Sequence, residues 1–196
     1  EQEDQQFPIE GAEPLAIRNP LTEETRFMRT TLVPGLVRSA KRNFNYDQYV
    51  VRLFEIGKVY HRGPDGGPVE RNTLGILGTG DFASHNWCHP SGSYDFFHLK
   101  GAVAALLKGM QVADATFAPA QDVAWLDPSC AAALVVKGKS IGILGALHPS
   151  LEEESRLKQP LYMAEIDFEE LSRWAFQPMR YEQLPKYPSV ERDLCL

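Results

Sequence analysis

A chain of 196 residues with 43% apolar composition is large enough for one full hydrophobic core, with room for a small appendage. No apolar run approaches the ~18 to 20 residues that cross a bilayer, and no charged-then-apolar signal segment opens the sequence, so no membrane association is expected. A net charge of −6 argues against a free-standing nucleic-acid binder, whose affinity would come from Lys and Arg on phosphates. Cys88, Cys130 and Cys195 are odd in number and widely spaced, which implies neither a disulfide framework nor a zinc ribbon. Free thiols in a reducing cytoplasm are the expectation.

In chain order, residues 1–13 read as a polar lead-in rich in Glu and Gln. Pro14 to Arg18 alternates apolar and polar residues and predicts a short strand, ended by the turn signal Asn19-Pro20. Residues 22–25 suit a short helical turn. Pro34 is tolerated at a helix start, because it has no N–H to leave unpaired, and the spacing predicts a helix over 33–45. Leu36, Val37, Ala40 and Phe44 share its apolar face, extended upstream by Met28 and Leu32. Arg38, Lys41 and Arg42 fall largely opposite.

Tyr49 to Tyr60 reads as a long strand, Gly63 to Pro68 as a turn, and Arg71 to Thr79 as the returning strand of an antiparallel hairpin. Residues 81–93 read as a loop. A helix over 94–110 follows, with Ser93 as its expected cap. Further on, 115–118 is a short strand, and 131–136 with 141–147 forms a hairpin around Lys137-Gly138-Lys139. Residues 150–157 suggest a short acidic helix, 161–167 a strand, and 168–174 a helix. Helices inserted among hairpins, without regular alternation, point to an α+β fold: an antiparallel sheet flanked by helices.

Several constellations bear on chemistry. His85, Cys88 and His89 form a His-x2-Cys-His cluster that lacks a ligand, which His98 or His61 would have to supply. On that basis a small metal-dependent hydrolase is one alternative function. Between Arg18 and Arg62 nine basic residues face four acidic ones, which keeps an independent RNA-binding module as another. The glycines of 75–80 end a strand with no helix to follow, a poor phosphate cradle. Asp127 and His148 lack a nucleophile-elbow serine nearby.

A set of motifs in order makes the chain similar to a known family. These are Asn19-Pro20-Leu21, Met28-Arg29, Leu32-Val33-Pro34-Gly35-Leu36, Leu53-Phe54-Glu55-Ile56-Gly57 and Asp95-Phe96-Phe97-His98-Leu99-Lys100-Gly101. Ile141-Gly142 with Leu147-His148-Pro149 comes next, and Leu184-Pro185-Lys186-Tyr187-Pro188 with Arg192-Asp193-Leu194 is last. Together they resemble the core of the β subunit of bacterial phenylalanyl-tRNA synthetase. Ala146 and His98 stand where family members often carry acidic residues.

The resemblance implies a class II aminoacyl-tRNA synthetase-like fold over 14–180 without catalysis. It implies a linker and truncated start of a ferredoxin-like anticodon-binding domain over 181–196, as in a piece cut from a larger β subunit. It further implies an α subunit as partner in an (αβ)2 heterotetramer, tRNA bound through the parent complex, and ATP with Mg2+ used by that complex, with no cofactor or metal in this fragment. The helix over 33–45 would be the interface helix, with Phe27, Met28, Leu32, Val33, Leu36, Val37, Ala40 and Phe44 at the subunit contact. One apolar face serves one neighbour, so the same residues would otherwise bury on this chain's own sheet. Arg52, Glu55 and Arg71 would mark a remnant nucleotide site, incomplete because the late glycine-rich segment offers no arginine in register.

Overall fold

The structure, a computed structural model, describes residues 7, 13–22, 26–83, 92–120 and 123–176. Four helices and eight strands are defined among these: α1 (Val33–Asn45), β1 (Val51–Arg62), β2 (Pro68–Thr79), β3 (Asp81–Ala83), β4 (Gly92–Ser93), α2 (Phe96–Gly109), β5 (Ala115–Pro119), β6 (Leu126–Val136), β7 (Lys139–Leu147), α3 (Pro149–Glu154), β8 (Tyr162–Asp167) and α4 (Phe168–Arg173). Six of the strands form one sheet in the order β1-β2-β8-β7-β6-β5, and every pair is antiparallel. This is the expected α+β architecture. No helix among the described residues is long and apolar enough to cross a membrane.

Each sheet face has its own core. On one, Leu36, Val37, Ala40 and Phe44 of α1 bury against Val51, Val59, Leu77 and Met163. On the other, Leu99, Val103 and Leu107 of α2 bury against Leu74, Leu134, Leu144 and Ile166. The period-2 pleat explains the division, because alternate residues of β2 and β8 serve opposite cores. Burial of this kind contributes roughly 25 cal/mol per Å2 of apolar surface, and most helical stability comes from it rather than from propensity.

Several expectations shift. Residues 14–18 form no full strand; the chain makes one isolated bridge, Ala16 to Phe27. The first hairpin strand starts two residues later than its aromatic run suggests and extends through His61 and Arg62, paired to Val69 and Pro68. Within 81–93, the ends pair as the small β3–β4 ladder instead of forming only loop. Strand β6 begins at Leu126 and carries a register shift before Ala131. The α2 cap is Asp95, not Ser93: its carboxylate accepts the His98 N–H at 2.9 Å, while the His98 ring accepts the Asp95 N–H at 3.2 Å. That reciprocal capping box satisfies two donors at the helix start. The helical turn expected within 22–25, most of the polar lead-in and the stretch 177–196 lie outside the described residues.

Candidate functional site

Two places gather the chemistry-bearing residues: the start of α1, and the sheet face over β1 and β2 beside Tyr94.

Helix α1 has no side-chain cap of its own, since its N-cap is Leu32. The donors there are satisfied from across the fold. Glu165, on the central strand β8, accepts the Leu32 N–H at 2.8 Å and the Thr31 hydroxyl at 2.8 Å, and Thr31 Oγ1 in turn accepts the Val33 N–H at 3.1 Å. Glu165 is only 9% exposed. Burial pushes its carboxyl above the usual range, while the hydrogen bonds from Leu32 and Thr31 and the charge of Arg29 pull the other way. A carboxylate at a helix N-terminus also complements the helix dipole. Sequence reasoning missed Glu165; its signal was a charged residue inside an otherwise apolar strand, Tyr162-Met163-Ala164-Glu165-Ile166.

The residues expected at a subunit contact divide sharply. Leu32, Val33, Leu36, Val37, Ala40 and Phe44 are buried in this chain's own core. Met28 is half-buried and Phe27 is 38% exposed. Ser39, Arg42 and Asn45 are exposed on α1.

The three positions of the expected nucleotide remnant do not come together. Register places Arg52 opposite Gly78, Glu55 opposite Gly75 and Arg71 opposite Val59. Parity therefore puts Arg52 on the α2 face and both Glu55 and Arg71 on the α1 face. Glu55 is paired with Arg29 at 2.7 Å. Arg71 lies 4.0 Å from Asp167.

Arg52 is held by its own surroundings. Its guanidinium donates to the carbonyls of Val51, Thr79 and Asp81. It also stacks 3.9 Å from the centroid of the Tyr94 ring. Burial lowers the Arg52 pKa from its ordinary value, and burial raises that of Tyr94. The Tyr94 ring lies over Gly78, where a Cβ would overlap it. His98 stacks on Tyr94 with centroids 5.5 Å apart, and Phe82 lies 3.9 Å from His98. Tyr94 is thus the organiser of this face, a role its sequence context did not announce.

The remaining candidates disperse. His85, Cys88 and His89 lie outside the described residues. His98 is engaged in the α2 capping box, and His61 sits on β1 beside Arg71. No group of three potential metal ligands occurs among the described residues. Three of the nine basic residues from Arg18 to Arg62 are paired with acidic residues of this chain: Arg29 with Glu55, Lys58 with Glu70 and Arg62 with Glu13. Asp127 bonds Ser129, and His148 bonds Ser150 in a cap of α3, so neither forms a relay.

Comparison with known proteins agrees with this geometry. Residues 1–168 match the family model described as the phenylalanyl tRNA synthetase beta chain CLM domain. The phenylalanine–tRNA ligase beta subunit of Carboxydothermus hydrogenoformans is 32% identical over 182 residues, 93% of this chain and 23% of that protein. Those of Symbiobacterium thermophilum and Dehalococcoides mccartyi are 37% and 35% identical, covering 93% and 95% of this chain but 20% and 23% of their own lengths. The chain thus spans under a quarter of these curated relatives. In structure it is similar to a pyrrolysyl-tRNA synthetase of Desulfitobacterium hafniense, with TM-score 0.61 and 14% identity, over 81% of this chain and 52% of that one. A second structure of that synthetase gives TM-score 0.58 at 15% identity, over 78% of this chain and 51% of that one. The fold is that of class II synthetases, and the chain belongs to the phenylalanyl-tRNA synthetase β-chain family, within its CLM domain.

Proposed function

We propose that this chain is a non-catalytic scaffold within a phenylalanine–tRNA ligase: it docks the catalytic α subunit in an (αβ)2 assembly and helps position tRNA, while the parent complex uses ATP and Mg2+. Residues 14–180 form the synthetase-like core in this reading, and 181–196 lead toward an anticodon-binding domain. The observation that carries it is Arg52. A phosphate clamp needs a guanidinium fork free to meet two oxygens. Arg52 donates its fork to three backbone carbonyls and stacks on Tyr94, with Glu55 and Arg71 on the opposite sheet face.

Docking falls to what α1 leaves accessible. The buried face anchors the helix, while Ser39, Arg42 and Asn45, together with Phe27 just upstream, reach the α subunit. The test of catalytic silence is calorimetry of the chain with ATP and with a non-hydrolysable phenylalanyl-adenylate analogue. The expected result is no saturable heat for either. Saturable binding abolished by Arg52→Ala would overturn the reading.

A further inference from the structure

Register sets Glu55, Gly75 and Glu165 in one row across β1, β2 and β8, so both carboxylates stand on the α1 face with Gly75 between them. Gly57 lies two residues along β1 from Glu55 and shares its face. A Cβ at Gly57 would overlap the Arg29 guanidinium and come within 3.2 Å of Leu32 Cδ2. A Cβ at Gly75 would come within 2.7 Å of Leu36 Cδ1 and 3.2 Å of Leu32 Cβ. The two missing side chains leave a hollow in the sheet, and Arg29, Leu32 and Leu36 fill it.

Arg29 is anchored to β1 through both its side chain and its backbone. Its Nε donates to the Lys58 carbonyl at 2.8 Å, its Nη1 donates to Glu55 Oε1 at 2.7 Å, and its own carbonyl accepts the Tyr60 N–H at 2.8 Å. Immediately downstream, the Thr31 hydroxyl and the Leu32 N–H donate to Glu165. Helix α1 has no side-chain cap of its own, so the buried Leu32 N–H is paired only if the chain is delivered to Glu165 in this position. An isolated exposed ion pair would contribute little to that. The Arg29–Glu55 pair differs because the guanidinium is bedded on Gly57 and is bonded to the backbone of the same strand.

We infer that Arg29, bedded on Gly57 and tied to Glu55, is a positioning residue for α1: it delivers Leu32 to Glu165 and so sets where the helix starts. Phe27 lies two residues upstream of Arg29, so the same anchor places the side chain that reaches the α subunit in the scaffold reading. That consequence rests on the docking reading given above, whereas the seating of the helix does not.

The test compares the 196-residue chain with its Arg29→Met, Glu55→Gln and Gly57→Ala variants. Glu70→Gln is the control, because Glu70 pairs with Lys58 on the opposite face of the same hairpin. Amide hydrogen exchange followed by NMR reads the Leu32 N–H, and sedimentation velocity reads binding to the cognate α subunit. The expected result is Leu32 exchange faster by at least about tenfold in the seat variants and unchanged in Glu70→Gln, with Val103 and Leu107 of α2 unchanged in all. Affinity for the α subunit should fall with it, by at least about tenfold. Leu32 exchange at the wild-type rate in Arg29→Met and Glu55→Gln would overturn the inference. So would an acceleration shared equally by Val103 and Leu107, which is global unfolding. Faster Leu32 exchange with undiminished α-subunit affinity would overturn the consequence for docking. Faster Leu32 exchange in variants of a chain that binds no α subunit even as wild type would uphold the seat and overturn the docking reading instead.

Discussion

Glu165 is the residue on which the start of α1 rests. Removing its carboxylate in Glu165→Ala leaves the Leu32 N–H buried and unpaired, and urea unfolding should show a loss of about 1 to 3 kcal/mol. Its ionisation carries a pH signature. Burial raises its folded pKa above the unfolded value, so the folded state holds the proton more tightly. Stability from this group is therefore greatest below the ordinary glutamate range and falls as pH rises through the raised folded value. Wild type should lose stability relative to Glu165→Gln across that window; two parallel stability curves would contradict the assignment. Gly78 makes a second residue-scale test. A methyl there would displace Tyr94 and with it the stack on Arg52, so Gly78→Ala should cost about 1 to 3 kcal/mol in thermal or urea unfolding.

At the scale of elements, α1 and β2 were legible because their signals are local. Pro34 marks the helix start, the 3.6-residue period sets its buried face, and a turn-rich hairpin loop divides β1 from β2. The cap of α2 was misplaced because Ser93 and Asp95 are both good capping types; only the ladder with Asp81 draws Ser93 into β4 and leaves the cap to Asp95. His98 then supplies the other half of the capping box. Asp95→Ala should destabilise the chain by about 1 kcal/mol. Burial tends to raise the Asp95 carboxyl, but hydrogen bonds from the backbone N–H groups of His98 and Phe97 help hold the pKa below its usual value. That contribution is complete above the ordinary aspartate range and is lost as pH falls through the depressed folded value. Acid titration by circular dichroism should show this loss in wild type and not in Asp95→Ala.

For the whole molecule, the family and the antiparallel architecture were readable from motif order, whereas the disposition of the candidate site was not. Arg52, Glu55 and Arg71 look like one set along a hairpin, yet pleat parity assigns them to two faces, and parity depends on a register that spacing alone leaves free. Likewise, one amphipathic stripe says that α1 buries something but not whether its neighbour is a partner or its own sheet. Those six side chains proved to face the sheet, so in the proposed scaffold docking would fall to the outward side of the helix. The most direct test of the scaffold account is sedimentation velocity of this chain with its cognate α subunit, repeated with the double variant Phe27→Asp and Arg42→Glu. Both substituted residues have exposed surface, so the variant should remain folded. The account predicts a complex with wild type that the folded variant loses. A complex of undiminished strength with the variant, or none with wild type, would contradict docking through this helix.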